Sequence, residues 1–225
     1  MFDRIVIGTA NWGKEYNGSR LEKSEIKDIL DYCTCNGITM LDTADEYESE
    51  EIIGELANSS FDIVTKGCGA IERQLNRLQR NAAYGYLYRT PELFSRSHII
   101  PEATATGLSL YDVPSPGTGW GCKPQILQVP YSLMDRRFER SIRQWQCDGI
   151  EIHVRSVFLG GKAIDAANAH ECLKFVLANR FIDKIVIGVG SLEQLRDNLA
   201  FIHGWNACQC DDETIIDPRT WKDEE

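Results

Sequence analysis

The stretch 39–54, TMLDTADEYESEEIIG, decides the fold. A short apolar run, Thr39-Met40-Leu41, stops on an acid, Asp42, and turns through Thr43-Ala44-Asp45 to Tyr47. The acidic, periodic run that starts at Ser49 reads as a helix with glutamates in its first turn, where the positive end of the helix dipole favours them. A carboxylate at a strand end, with a phenol five residues on in the strand-to-helix loop, is a candidate acid–base pair. The next apolar run, 61–66 (FDIVTK), also ends on a charge. A lysine at the end of a buried strand is costly to desolvate without a partner, and Asp42 is the candidate.

Outward from this stretch the chain alternates strand and helix. Strands are expected over 4–8, 39–41, 62–65, 83–88, 104–110, 124–129, 151–158 and 184–189. Helices are expected over 21–36, 49–57, 71–79, 133–147, 163–179 and 192–202, on apolar stripes such as Ile26, Ile29, Leu30, Cys33 and Met134, Phe138, Ile142, Trp145. Gly37 closes the first of these as a C-cap. Short connections between alternating elements imply parallel βα units. The rhythm falters twice. Residues 90–103 leave room for little more than two helical turns, and 112–122 (DVPSPGTGWGC) hold two prolines and three glycines, which argue against a full helix. Eight strands and six full helices result. Thin cover over strands four to six then predicts an apolar patch beside Tyr84, Tyr86 and Tyr88, closed by a second subunit or by repacked loops.

At 225 residues the chain is expected to form one domain over 1–225. Thirty-four acids against 24 bases give a net charge of -10, which argues against nucleic acid or an anionic membrane as partner. No apolar run reaches the ~20 residues of a membrane span, and the start, MFDRIVIG, does not read as a signal sequence, so a cytoplasmic protein is expected. The eight cysteines read as free thiols. Cys33-x-Cys35 and Cys208-x-Cys210 lack a second, similarly spaced pair that would suggest zinc, and no metal is expected.

LDTADEY followed by SEEIIG and then IVTKG resembles the aldo-keto reductases, NAD(P)H-dependent oxidoreductases on a (β/α)8 TIM barrel. The resemblance spans nearly the whole chain. Such barrels typically take ~250 residues, so it implies a shortened one, with helices four and five reduced or missing. It also implies hydride transfer between NADP (or NAD) and a small-molecule carbonyl or alcohol substrate. The family's catalytic aspartate, tyrosine and lysine fall on Asp42, Tyr47 and Lys66. The lysine's charge would lower the Tyr47 pKa, and the phenol would act as general acid. The family histidine is replaced: aligning Gly85-Tyr86-Leu87 and Pro91-Glu92 places Arg89 there. Arginine offers fixed donors and a permanent charge, but it does not titrate near neutrality.

For the cofactor, the resemblance implies Ser109 and Gln128 at the nicotinamide amide, Arg155 where a stacking tyrosine often stands, and Ser156, Phe158 and Gly160 along the diphosphate. Gly188, Ser191, Gln194 and Asn198 would lie around the adenosine phosphate, near a helix N-terminus suited to an anion. Gly190 replaces a basic residue common next to that serine, which weakens a preference for NADPH over NADH. Arg89, Arg155, Gly190 and the missing outer helices also leave open a second reading, a decayed barrel kept as a binding or structural protein. The thin flank over strands four to six makes a homodimer through that side a further expectation.

Overall fold

The computed structural model describes residues 2–15, 20–96, 99–115 and 120–204, save the side chains of residues 165 and 166. Eight strands, β1 (Ile5–Gly8), β2 (Met40–Asp42), β3 (Asp62–Gly67), β4 (Ala83–Tyr88), β5 (Ala103–Ser109), β6 (Ile126–Pro130), β7 (Glu151–Arg155) and β8 (Lys184–Gly188), close into a barrel in sequence order. Every pair is parallel, with β8 paired to β1 through Ile5↔Ile185 to Gly8↔Gly188. The expected (β/α)8 architecture is therefore present.

The two-residue period of a strand sorts side chains between two cores. Val6, Met40, Val64, Leu87, Ala105, Ile126 and Val186 pack together inside the barrel. Their neighbours, including Ile7, Leu41, Ile63, Tyr86, Tyr88, Leu127, Val154 and Ile187, join the larger core beneath the helices. Burial on both faces explains why these strands read as continuous apolar runs.

The helices are α1 (Lys23–Cys35), α2 (Ser49–Leu56), α3 (Glu72–Leu78), α4 (Pro91–Arg96), α5 (Glu139–Cys147), α6 (Lys162–Ala166), α7 (Ala169–Ala178) and α8 (Leu192–Gly204). The α1 stripe buries Ile26, Ile29, Leu30 and Cys33 as expected. Gly54 on α2 lets that helix press against α3: a Cβ there would lie 2.2 Å from the Arg77 carbonyl oxygen.

Three boundaries differ from the sequence expectation. The helix expected over 133–147 starts at Glu139, because the Ser132 hydroxyl accepts from the backbone N–H groups of Met134 (3.3 Å) and Asp135 (2.9 Å) and ties the chain into a turn. Met134, expected in the core stripe, is 48% exposed. The helix expected over 163–179 is two, α6 and α7. Asn168 sits between them and caps α7, its side chain accepting from the Glu171 N–H at 2.9 Å. Strand β7 stops at Arg155, since Ser156 has φ 61 and cannot continue an extended strand.

The shortening is local. All eight strands are present; α4 has six residues, and the described residues between β5 and β6 contain no helix. The apolar patch expected along β4 is absent there, because Tyr86 and Tyr88 are buried. Phe94 from α4 packs 6.0 Å from the Tyr88 ring, and the Tyr86 hydroxyl donates to the Gly69 carbonyl at 2.6 Å. Six residues of helix are enough to cover that strand. The thin cover lies instead over β5 and β6, where Val113 and Ile99 are exposed and a cavity of about 850 Å³ opens beside Trp120, Cys122 and Trp145. Among the described residues no helix is long and apolar enough to cross a membrane.

Candidate active site

The C-terminal ends of β2, β3, β5 and β6 bring one hydrogen-bonded chain into the barrel mouth. Lys66 on β3 is 2% exposed and donates to Asp42 Oδ1 at 2.6 Å and to the Thr43 carbonyl at 2.7 Å. The other carboxylate oxygen, Oδ2, accepts from Gln128 Nε2 on β6 at 2.7 Å. Gln128 Oε1 in turn accepts from the Ser109 hydroxyl on β5 at 3.2 Å. The partnership expected between Asp42 and Lys66 is thus formed. Gln128, expected to face a ligand amide, has both ends of its own amide engaged by the protein.

Tyr47 hangs over this pair. The loop that carries it is stitched to β3: Thr43 N–H donates to the Val64 carbonyl and Asp45 N–H to the Lys66 carbonyl, and Tyr47 N–H closes a turn on Ala44. The Lys66 ammonium lies 5.6 Å from the centroid of the Tyr47 ring, under its face, and Lys14 lies 5.7 Å away. The Tyr47 phenol does not acquire the lowered pKa expected from Lys66. Burial first and then the Asp42 carboxylate push it up to about 12, with Arg89 acting in the opposite direction. Desolvation lowers the Lys66 pKa against the opposing effect of Asp42, with Arg155 and Arg89 adding to the lowering. Tyr47 is therefore a protonated phenol at neutral pH.

Arg89 follows β4 directly. Leu87 faces the inner core and Tyr88 the outer one, so the alternation that favours Arg89 over Tyr88 as the mouth-facing residue holds along the strand. Its Nη2 lies 2.9 Å from Glu46 Oε1, off the N–H direction, and 3.6 Å from Asp45 Oδ1. Both acids sit on the Tyr47 loop, so Arg89 is a strap between β4 and that loop.

Arg155 ends β7 on the same face as the fully buried His153. It donates from Nη2 to the Leu110 carbonyl at 3.0 Å and from Nη1 to the Ser156 hydroxyl at 3.2 Å, with its guanidinium carbon 4.3 Å from the Tyr111 ring centroid. Beyond it the backbone coils tightly: Ser156, Leu159, Gly160 and Gly161 all have positive φ, and a 3-10 turn over Leu159–Gly161 leads into α6 past the half-buried Phe158.

On β8, a Cβ at Gly188 would meet only the Gly8 carbonyl oxygen, at 4.0 Å, so the mouth is open there. The turn into α8 is self-satisfied: Gln194 N–H donates to the Ser191 hydroxyl at 3.1 Å, and Gly190 N–H donates to Gln194 Oε1 at 2.8 Å. Asn198 is buried further along α8.

Two buried networks were missed from the sequence. Glu50, at the start of α2, is fully buried and accepts from Thr65 Oγ1 and Gln74 Nε2, each at 2.9 Å, and from Arg77 Nε at 2.8 Å. Gln74 Nε2 also reaches the Lys66 carbonyl at 3.1 Å, so this network braces the residue that holds Asp42. The second runs across the barrel: His153 Nε2 lies 2.8 Å from Glu151 Oε1, and Glu151 Oε2 accepts from the Tyr84 hydroxyl at 2.7 Å. Among the described residues no cluster of histidine, cysteine and acid side chains could hold a metal. Cys208 and Cys210 lie outside the described residues.

The profile described as the aldo/keto reductase family matches residues 4–97. No curated protein matches the sequence. Among solved structures, the chain is similar to a protein from Pseudomonas aeruginosa described as an aldo-keto reductase, at 20% identity and TM-score 0.72, with 88% of each chain covered. It is similar to an aldo-keto reductase from Bacillus halodurans in its holo form at 17% identity and TM-score 0.72, covering 91% of this chain and 88% of that one. A third, an aldo-keto reductase from Klebsiella pneumoniae in complex with NADPH, matches at 19% identity and TM-score 0.70, with 89% and 85% covered. These similarities establish the shared barrel. They also bear on its size: most of each neighbour's length has a counterpart here.

Proposed function

We propose that the protein is a divergent aldo-keto reductase that reduces a carbonyl compound with NAD(P)H. The observation that carries this reading is the buried Asp42–Lys66 ion pair beneath Tyr47, which lies inside the segment matched by the family profile. Burying both charges is unfavourable unless the geometry is close and further hydrogen bonds satisfy them, as Thr43 and Gln128 do here. A fold has no need of such a pair at a strand end; a site that must hold a phenol over a fixed charge does.

The residues fit a nicotinamide cofactor in outline. The open space at Gly188 and the positive-φ coil from Ser156 to Gly161 leave backbone accessible at the β7 and β8 ends. Ser109, Gln128, Ser156, Phe158, Gly160, Gly188, Ser191, Gln194 and Asn198 are proposed to line it, with Gln128, Ser191 and Gln194 exchanging protein partners for the ligand; Arg155, expected among them, instead turns its guanidinium to the Leu110 carbonyl and the Ser156 hydroxyl. The cofactor supplies the hydride. Tyr47 holds a proton at its hydroxyl and donates it to the carbonyl oxygen, the role of a positioned general acid. Its raised pKa keeps that proton in place at neutral pH. Asp42 fixes Lys66, and Lys66 under the ring stabilises charge that develops on the phenol as the proton leaves. Arg89 is proposed to stand in the place of the family histidine, and its ties to Glu46 and Asp45 make it a positioner of the Tyr47 loop.

A second reading has its own observation. With Gln128 held at both ends and Arg89 tied to acids, the mouth resembles a closed binding site more than an active one, which is what a barrel retained for binding alone would show. Fluorescence titration with NADPH and NADH separates the two. Micromolar binding, weakened in a Gln194→Ala variant, supports the reductase; no binding up to millimolar cofactor removes it.

A further inference from the structure

The cations around the mouth are not equally neutralised. Lys66 has Asp42 at 2.6 Å, and Arg89 has Glu46 at 2.9 Å. Arg155 has no carboxylate partner among the described residues. Its recorded acceptors are one carbonyl and one hydroxyl, each taking a single N–H, although a guanidinium carries five. Two carboxylates act on Arg155 from beyond hydrogen-bonding reach: Asp42, which already receives Lys66 on one oxygen and Gln128 on the other, and Asp135, which is paired with Arg137. A half-buried arginine of this kind is a standing cost unless an anion meets it. Burial is the first cause of the lowered Lys66 pKa, and Arg155 and Arg89 add to it.

From this juxtaposition of a guanidinium bonded to no carboxylate among the described residues with a fully engaged Asp42–Lys66 pair in one barrel mouth, we infer that Arg155 receives a carboxylate on the substrate. The site therefore takes oxo-acids, carbonyl compounds whose carboxylate stands close to the reacting carbon. The inference rests on the carbonyl-reductase reading for the word "substrate", but the anion site itself does not require the cofactor. Tyr111, over the guanidinium at 4.3 Å, holds the arginine plane, and a planar guanidinium suits bidentate contact with a carboxylate.

The test uses the full chain without cofactor. Oxamate, an oxo-acid analogue, and oxamide, its uncharged counterpart, are titrated by NMR into the wild type, Arg155→Gln, Arg155→Lys and an exposed control, Arg140→Gln. Inorganic pyrophosphate is titrated in parallel to represent a phosphate anion. The expected result is that oxamate binds the wild type and the control alike, at least tenfold more weakly to Arg155→Gln, and in between to Arg155→Lys. Oxamide should show no such dependence. If Arg155→Gln fails to fold, the wild-type preference for oxamate over oxamide and the Arg155→Lys titration decide. The inference is overturned if the wild type does not prefer oxamate to oxamide, if oxamate affinity is unchanged in Arg155→Gln, or if pyrophosphate alone depends on Arg155. Loss of NADPH binding with the oxamate result intact would remove the reductase reading and leave the carboxylate site standing.

Discussion

The two sides of the barrel mouth are built on different terms. On the β2–β3 side, the buried charges are partnered: Asp42 with Lys66 and Gln128, Glu50 with Thr65, Gln74 and Arg77, and the Tyr47 loop is hydrogen-bonded along β3. On the β5–β7 side, the crossover after β5 shows no helix among its described residues, and Arg155 has no carboxylate within hydrogen-bonding reach among them. A network that is satisfied throughout fixes geometry, and removing one member leaves buried groups unpaired. A group left unsatisfied in the fold is available to something else. On the proposed reading, the first side would position chemistry, and the second would select what enters.

That contrast predicts stability changes of different size and sign. Lys66→Ala should cost most, about 3–5 kcal/mol in denaturant unfolding, because it strands a buried Asp42 carboxylate. A loss below ~1 kcal/mol would show that the pair is not the brace described here. Glu50→Ala should follow at roughly 3 kcal/mol, since Gln74 and Arg77 lose their acceptor. Urea melts of this variant also report whether the β3 end loosens. Arg155→Gln belongs to the other side of the comparison, and it should leave stability within ~0.5 kcal/mol of wild type or raise it, as replacement of a residue kept for binding often does. A large destabilisation there would erase the distinction between the two sides.

The smallest effect is a pH dependence. The folded Tyr47 phenol titrates near 12 against an unfolded value of 10, so between those values the native state keeps a proton that the unfolded chain has lost. Stability from this group is full below pH 10 and falls as pH rises towards 12. Thermal melts across that window should therefore decline more steeply for wild type than for Tyr47→Phe, and parallel curves would place the phenol in solvent.

Much of this was readable from the sequence, for a physical reason. Parallel strands buried on both faces must be apolar throughout, so each showed as a short run closed by a charge or a turn residue, and Asp42 and Lys66 stood out as charges at the ends of such runs. Met134 misled because Leu133 and Met134 continue an apolar rhythm, while the Ser132 hydroxyl, which breaks it, contributes nothing to periodicity. Glu50 was invisible for the opposite reason. An acid in the first turn of a helix looks like a dipole partner in solvent, and its real partners come from β3 and α3, far along the chain. The sign of the Tyr47 shift is set first by burial of the phenol and then by the Asp42 carboxylate, neither of which residue order encodes.

The central claim is that Tyr47 donates the proton in an NAD(P)H-dependent reduction, and the most direct measurement compares wild type with Tyr47→Phe. Both are assayed for NADPH-dependent reduction of phenylglyoxylate, with cofactor affinity measured in the same preparations. The account predicts an unchanged cofactor Kd and a fall in kcat of about 10²–10⁴-fold, the range of a lost general acid. Equal kcat values in the two proteins, with cofactor bound, would contradict it.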